Sequence, residues 1–317
     1  MPETADTFHF IADKGDARSR LDRILVRRVT DVSRFSRTVA QHWIEAGAVS
    51  VDGLPARRAA TRVREGASIT VSVPATAIRR ARPAAEESEL RIVHEDDSLL
   101  VIDKPAGVVV HPSYKQTSGT LLNAVLWRIR DNAALRPGIV TRLDKDTSGL
   151  VVVALTARVH AALQRDAAAG DLRKRYLAIV AAAPKPPSGR IQLPIGRDPH
   201  DRRRMIVAGD GAASETEYAV IATEPGTAVT LVACTLITGR THQIRVHLAS
   251  SGWPIIGDRV YGHPHALIGR QALHAWTISL RHPVTRQLLA FESPLPPDMQ
   301  RLLGAHNSEA RLRPSSI

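Results

Sequence analysis

Three short stretches of this chain concentrate side chains that can do chemistry. In the first, Arg142-Leu143-Asp144-Lys145-Asp146-Thr147-Ser148-Gly149 runs directly into the apolar segment 150–154. Short polar residues and a glycine ahead of a hydrophobic strand make a loop that presents side chains from a rigid support. Asp144 sits in mid-loop between Arg142 and Lys145, and neighbouring cations favour its ionised form. An ionised carboxylate in a partly dry pocket can be a nucleophile or a general base. Most loop aspartates only satisfy turns, a role that suits Asp146 beside Thr147 and Ser148. In the second stretch, Arg173-Lys174-Arg175 leads into a strand through Tyr176. That tyrosine is either half-buried packing or a ring on which an exposed base stacks. The third, Gly239-Arg240-Thr241-His242-Gln243-Ile244-Arg245-Val246-His247-Leu248, opens a helix at Arg240-Thr241. Thr241, Arg245 and Leu248 share a face at helical spacing. Polar residues this dense at a helix start suit an anion, either a phosphate or a carboxylate from elsewhere in the chain. His242 and His247 are badly spaced for one face, and no neighbouring cysteine or carboxylate completes a metal cluster. Capping and packing account for most of the histidines.

The elements that must position these stretches are mainly strands. Strand patterns occur at 90–94, 99–103, 150–154, 176–180, 217–221 and around Cys234, with helical patterns at 120–130 and 157–168. Regular helices do not separate the strands, which argues against a doubly wound parallel sheet. The pattern predicts an α+β fold over 90–303: a mixed, largely antiparallel sheet with flanking helices and loops. A small N-terminal α/β module is expected over 17–75. Leu21, Ile24, Leu25 and Val29 recur at helical spacing there, with Arg20, Arg23 and Arg27 opposite. Ser36 caps a second helix with the stripe Val39, Trp43, Ile44, and Asp52-Gly53 marks a turn between short strands. The exposed charges of the first helix have nearly one sign, which suits gripping RNA. Residues 1–16 read as a flexible lead-in, 76–89 as a polar linker and 304–317 as a flexible tail. A tether between modules lets one hold RNA while the other searches locally.

Composition narrows the partners. A chain of 317 residues is long enough for two domains. The net charge of +12 and pI near 10.7 point to a polyanion, most simply nucleic acid. Aromatics are only 4%, so aliphatic side chains fill the core. Cys234 is the single cysteine, which excludes an intramolecular disulfide and suits a reducing, cytoplasmic compartment. It lies in an alternating strand pattern and reads as a buried, inert thiol. No secretory signal and no apolar run of membrane-spanning length is evident.

Two resemblances join these readings. Residues Arg20-Leu21-Asp22, Ser36-Arg37, Ile44-Glu45-Ala46-Gly47-Ala48-Val49-Ser50-Val51-Asp52-Gly53 and Gly66-Ala67-Ser68-Ile69 resemble the alpha-L RNA-binding motif. That resemblance implies Arg20, Arg23, Arg34, Arg37 and Gln41 as RNA contacts. The three chemical stretches, in this order, resemble the motifs of the RluA-type pseudouridine synthases. The resemblance extends to residues 103–112, to 252–258 with Tyr261-Gly262, and to Leu273-His274-Ala275 with His282-Pro283. The RluD subgroup is suggested by Leu193-Pro194-Ile195-Gly196-Arg197 and Arg202-Arg203-Arg204-Met205. It implies isomerisation of specific uridines to pseudouridine in 23S large-subunit ribosomal RNA. On this likeness Asp144 acts on the ribose side of the uridine. Tyr176 stacks on the base and takes part in proton removal from C5, and Arg245 pairs with the aspartate. No cofactor or metal is implied. The implied partner is large-subunit ribosomal RNA or a pre-ribosomal particle, met by a cytoplasmic monomer with no membrane association.

The family usually has histidine where this chain has Thr141, which leaves Thr141 and Arg142 as candidate contacts to the opened RNA. Thr141 alone favours a second reading, a catalytically weak RNA-binding ribosome-assembly factor; Asp144, Tyr176 and Arg245 oppose it. Metal-dependent phosphodiester hydrolysis lacks a ligand set.

Overall fold

The structure is a computed structural model that describes residues 7–13, 16, 19–29, 35–72, 83–113, 116–132, 134–201, 203–224 and 229–304. Contacts divide the chain into two compact units that meet in sequence between residues 82 and 83.

The N-terminal unit comprises β1 (Thr7–Ile11), α1 (Leu21–Arg28), α2 (Arg37–Glu45), β2 (Val49–Val51), β3 (Leu54–Pro55) and β4 (Ser68–Ser72). Leu21, Ile24 and Leu25 point inward from α1 and meet Trp43 and Ile44 from α2 against Val49, Ile69 and Val71. Ser36 caps α2 by accepting from the Val39 N–H at 3.3 Å. Asp52 and Gly53 both take positive φ, as a tight hairpin between β2 and β3 requires. One expectation is corrected here. The lead-in over 1–16 contains β1, which pairs antiparallel with β4 from Thr7↔Ser72 to Ile11↔Ser68. Ala12 and Asp16 are buried behind it. Without β1, β4 would be an unpaired edge.

The large unit begins with β5 (Ile92–Glu95), β6 (Leu99–Lys104), α3 (Leu121–Arg128), β7 (Gly138–Ile139) and β8 (Ser148–Ala154). Then follow α4 (Ala157–Ala169), β9 (Arg173–Val180), β10 (Ser188–Ile191), β11 (Ile195–Arg197), β12 (Met205–Val207) and β13 (Thr216–Thr223). It closes with β14 (Thr230–Leu236), α5 (Gln243–Ser250), β15 (Leu273–Arg281), β16 (Leu288–Glu292) and α6 (Pro297–Leu302). Ten strands form one sheet in the order β10-β13-β14-β9-β15-β8-β6-β5, with β16 on β15 and β7 on β8. The described pairings are antiparallel except β15 with β8. The fold is therefore α+β, as the strand pattern predicts.

Strand alternation explains the layers. Leu99, Val101, Leu150 and Val152 face α4 through Val159 and Leu163. Leu100, Ile102, Val151 and Val153 face α3 through Leu121 and Val125. Both faces of β8 are thus covered, which is why its sequence is a continuous apolar run. The 76–89 linker is also corrected in its second half. Asn123 of α3 donates to the Ala84 carbonyl at 2.7 Å, and Glu86 accepts from the Gly119 N–H at 2.7 Å. These bonds tie residues 84–86 to the large unit, so they are not free tether. Residues 73–82, and 305–317 of the expected tail, lie outside the described residues.

Candidate active site

Asp144 stands at the tip of the connection from β7 to β8. That connection is held from several sides. Thr141 accepts from the Val152 N–H at 2.9 Å, and Thr147 N–H closes a turn on the Asp144 carbonyl at 3.1 Å. Lys104, fully buried at the end of β6, donates to the Pro105, Val108 and Lys145 carbonyls at 2.8, 2.9 and 3.0 Å. Burial pulls its ammonium down to about 7. The three carbonyl acceptors oppose that pull, because only the charged form has three N–H donors. Arg270 donates to the Asp146 carbonyl at 3.2 Å, and Gln271 to the Thr147 hydroxyl at 3.2 Å. Gly149 then lets β8 pass β15. It has φ 108°, and a Cβ there would collide with the Ala275 carbonyl.

Arg245 reaches Asp144 from α5. Its Nη1 donates to Asp144 Oδ2 at 2.8 Å, while Nε and Nη2 grip Asp258 at 2.7 and 2.9 Å. Asp258 also accepts from the Val260 and Tyr261 N–H groups at 2.9 and 3.1 Å. Burial pushes the Asp258 carboxyl up, but Arg245 and these backbone donors outweigh it and hold it below the ordinary range. Burial likewise works against the Arg245 charge, and the two carboxylates overcome it. The result is a fixed guanidinium fork that turns Nη1 toward Asp144. The Asp144 side chain remains 27% exposed, against 0% for Asp258.

The helix begins later than the sequence predicts. Gln243 is its first residue, and His242 before it takes the left-handed conformation at φ 57°. Gln243 causes the shift: its Oε1 accepts from Arg240 N–H at 2.9 Å and from Thr238 at 2.8 Å. The bend turns His242 toward the site, with Nε2 at 3.8 Å from Asp144 and Nδ1 at 2.8 Å from the Tyr261 hydroxyl. Tyr261 also accepts from the Met205 N–H at 2.8 Å. The Tyr261 hydroxyl thus anchors Nδ1 and leaves Nε2 turned toward Asp144. Burial is the main influence on His242 and lowers its pKa, so the ring is neutral at pH 7. The anion at this helix start is thus a carboxylate from elsewhere in the chain, Asp144.

Tyr176 lines the same cavity, whose volume is about 710 Å³. Its ring is buried in β9, and its hydroxyl has no protein partner among the described residues. Burial first, and Asp144 second, raise its pKa and keep the phenol protonated. The cavity brings Asp144, Tyr176 and Arg245 together with Thr141, Arg142, Lys174, Arg240 and His242.

Comparison with known proteins identifies the family of the chain. Residues 98–250 match the RNA pseudouridylate synthase family and 19–69 the S4 domain. The chain is 42% identical to "Ribosomal large subunit pseudouridine synthase D" of Nitrosomonas europaea, over 98% of this chain and 92% of the relative. It is 40% identical to the protein of the same name from Xanthomonas campestris, over 90% and 88% of the two chains. The chain belongs to the RNA pseudouridylate synthase family. A solved human structure, "RNA Pseudouridylate Synthase Domain Containing 4", superposes with TM-score 0.54 at 25% identity, over 67% of this pseudouridine synthase and 91% of the human chain. The protein is an isomerase acting on RNA, and its N-terminal unit is an S4 domain.

The remaining sequence candidates fall into place unevenly. Thr141 is buried at the cavity wall and its hydroxyl oxygen accepts from the Val152 N–H; Arg142 beside it is exposed. In the S4 domain, Arg20, Arg37 and Gln41 all converge on the buried Asp22. Arg23 is exposed, and Arg34 lies outside the described residues. His247 is packing: it meets Thr216 and the Leu193 carbonyl, both at 2.9 Å. Cys234 is fully buried, and burial pushes its thiol up to about 12. Asp146 uses its carbonyl, not its carboxylate, to hold the loop. Sequence reasoning missed the roles of Lys104, His242, Asp258 and Tyr261. Each carried a signal only as part of the family resemblance, His242 within the third stretch and the others in the segments 103–112, 252–258 and 261–262.

Proposed function

We propose that this pseudouridine synthase isomerises specific uridines in 23S large-subunit ribosomal RNA, with Asp144 as the reacting carboxylate. The observation that carries the reading is the half-open state of Asp144. One oxygen is held by Arg245 at 2.8 Å, and the rest of the carboxylate faces the cavity beside Tyr176. A uridine seated there breaks its N1–C1′ bond, turns the base and joins C5 to C1′. The C5 proton leaves and N1 gains one, so no electron is transferred and the residues present suffice without a cofactor.

Arg245 holds the carboxylate ionised and oriented throughout. Tyr176 supports the flipped base by stacking. Its raised pKa disfavours a phenolate, which supports stacking over proton removal as its part. The names of the relatives support ribosomal RNA of the large subunit as the substrate class, either free or in a pre-ribosomal particle. The S4 domain supplies the RNA grip through Arg20, Arg23, Arg34, Arg37 and Gln41, and Arg142 adds one at the cavity mouth. The protein works as a cytoplasmic monomer.

Large-subunit ribosomal RNA transcribed with tritium at uracil C5 tests this reading. The wild-type protein is expected to release tritium to water in the presence of EDTA, and Asp144→Ala to release none. Turnover by Asp144→Ala within tenfold of wild type would sink the role of the carboxylate.

A further inference from the structure

Lys174 precedes Tyr176 by two positions on β9, so strand alternation turns both side chains to one face. Both line the cavity. Arg175 between them faces the other way, with its guanidinium 5.0 Å from the centre of the Trp276 ring. The Lys174 ammonium lies against the Gly239 backbone, where a Cβ would stand 3.5 Å from Nζ. That places it beside the loop that carries Arg240 and His242.

Among the described residues, the Lys174 ammonium has no hydrogen-bond or ion-pair partner. Lys104, which is fully buried, has three carbonyl acceptors. Burial lowers the Lys174 pKa and no carboxylate offsets it. A half-buried ammonium without a counter-charge is unfavourable in the free protein. Asp144 does not supply that charge, since its close partners are Arg245 and His242. The lining also carries Arg142 and Arg240, so the wall around Lys174 is cationic. Such a wall favours an anion that arrives with the substrate.

We propose that Lys174 seats a phosphodiester of the RNA strand next to the uridine held by Asp144 and Tyr176. The contact fixes the backbone on the far side of the flipped nucleotide. It acts on binding and placement, not on the bonds that change. The proposal rests on the uridine-isomerase reading above.

Lys174→Met and Lys174→Arg test it through binding of transcribed large-subunit ribosomal RNA across a salt series. In Lys174→Met the slope of log affinity against log salt is expected to shrink by about 0.7–0.9, the contribution of one phosphate contact. Lys174→Arg is expected to restore the slope. At saturating RNA, the single-turnover rate of Lys174→Met stays within about threefold of wild type, the size expected for binding without transition-state contact. Its melting temperature is unchanged or higher, because an unpaired buried charge is gone. An unchanged salt slope in Lys174→Met overturns the proposal. So does a collapsed single-turnover rate with the slope intact, which would assign Lys174 to the base or sugar. Failure of the wild-type protein to release tritium would instead overturn the isomerase reading, and the binding slopes separate the two.

Discussion

Two carboxylates held by arginine, one in each unit, do different work. Asp22 of the S4 domain accepts from Arg20 at 3.0 and 3.1 Å, from Arg37 at 2.8 Å and from Gln41 at 3.0 Å. Its side chain is sealed from solvent at 0% exposure, while the arginines around it keep 34% and 49%. Asp144 accepts once from Arg245 and keeps part of its surface open to a cavity. The pair chemistry is the same; the saturation is not. Asp22 spends its lone pairs on its own module and ties two helices together. In the catalytic unit the saturated carboxylate is Asp258, which takes most of the Arg245 fork. That arrangement frees Asp144 to meet a ligand while its partner stays fixed.

The largest expected effect separates these roles outright. Asp144→Asn is expected to cut tritium release by about 10⁴-fold or more, the scale seen when a reacting group is removed. Because Arg245 keeps Asp258, its unfolding free energy should move by no more than about 1 kcal/mol. A stability loss as large as the activity loss would erase the contrast with Asp22.

Asp258→Asn comes next. It leaves the buried fork short of charge, so stability is expected to fall by about 3 kcal/mol. Activity is expected to fall by about 10²-fold as Asp144 and Arg245 drift from register. Denaturant titration and single-turnover assays read the two effects separately.

Asp22→Asn should act on the S4 domain alone, lowering its stability by about 1–3 kcal/mol while the rate at saturating RNA is kept. Acid titration sharpens this further. Arg20 is the main influence that holds the Asp22 carboxyl well below its ordinary range, with Arg37 and Gln41 adding to it. The folded protein therefore binds that proton more weakly than the unfolded chain. The stability Asp22 adds is complete above about pH 4 and is lost as pH falls below it. Asp22→Asn is expected to flatten that acid limb; an unchanged limb would show that Asp22 is not the sensitive group.

Arg23→Ala is the smallest change. Arg23 is exposed and its side chain has no protein partner among the described residues. Its loss should leave stability unaltered and reduce the salt slope of RNA binding by about 0.9 if it touches one phosphate.

Much of the fold was legible in the chain because local pattern and final environment agree. β6, β8, β9, β13 and β14 coincide with apolar or alternating runs, and α3 and α4 with capped helical stripes. β1 was not legible: it is short, near the N-terminus and defined by pairing with β4, about sixty residues away in sequence. The start of α5 was misread because the Gln243 side chain, not a local cap, shapes the entry.

Residue types and their order determined that this chain has a carboxylate between two cations in a loop, a tyrosine at a basic strand and an arginine-bearing helix. They also determined the family, since long motifs in fixed order identify it without coordinates. Only the tertiary structure decided how the charges are divided. Arg142 and Lys145 flank Asp144 in sequence, yet neither pairs with it among the described residues, while Arg245 reaches it from a separate helix. Asp258 fixes that arginine, and Lys104 ties the Lys145 carbonyl of the loop to the segment after β6. Hydrogen bonds and burial depend on distances that folding sets between remote segments. A carboxylate's freedom to react is therefore a property of what surrounds it in space.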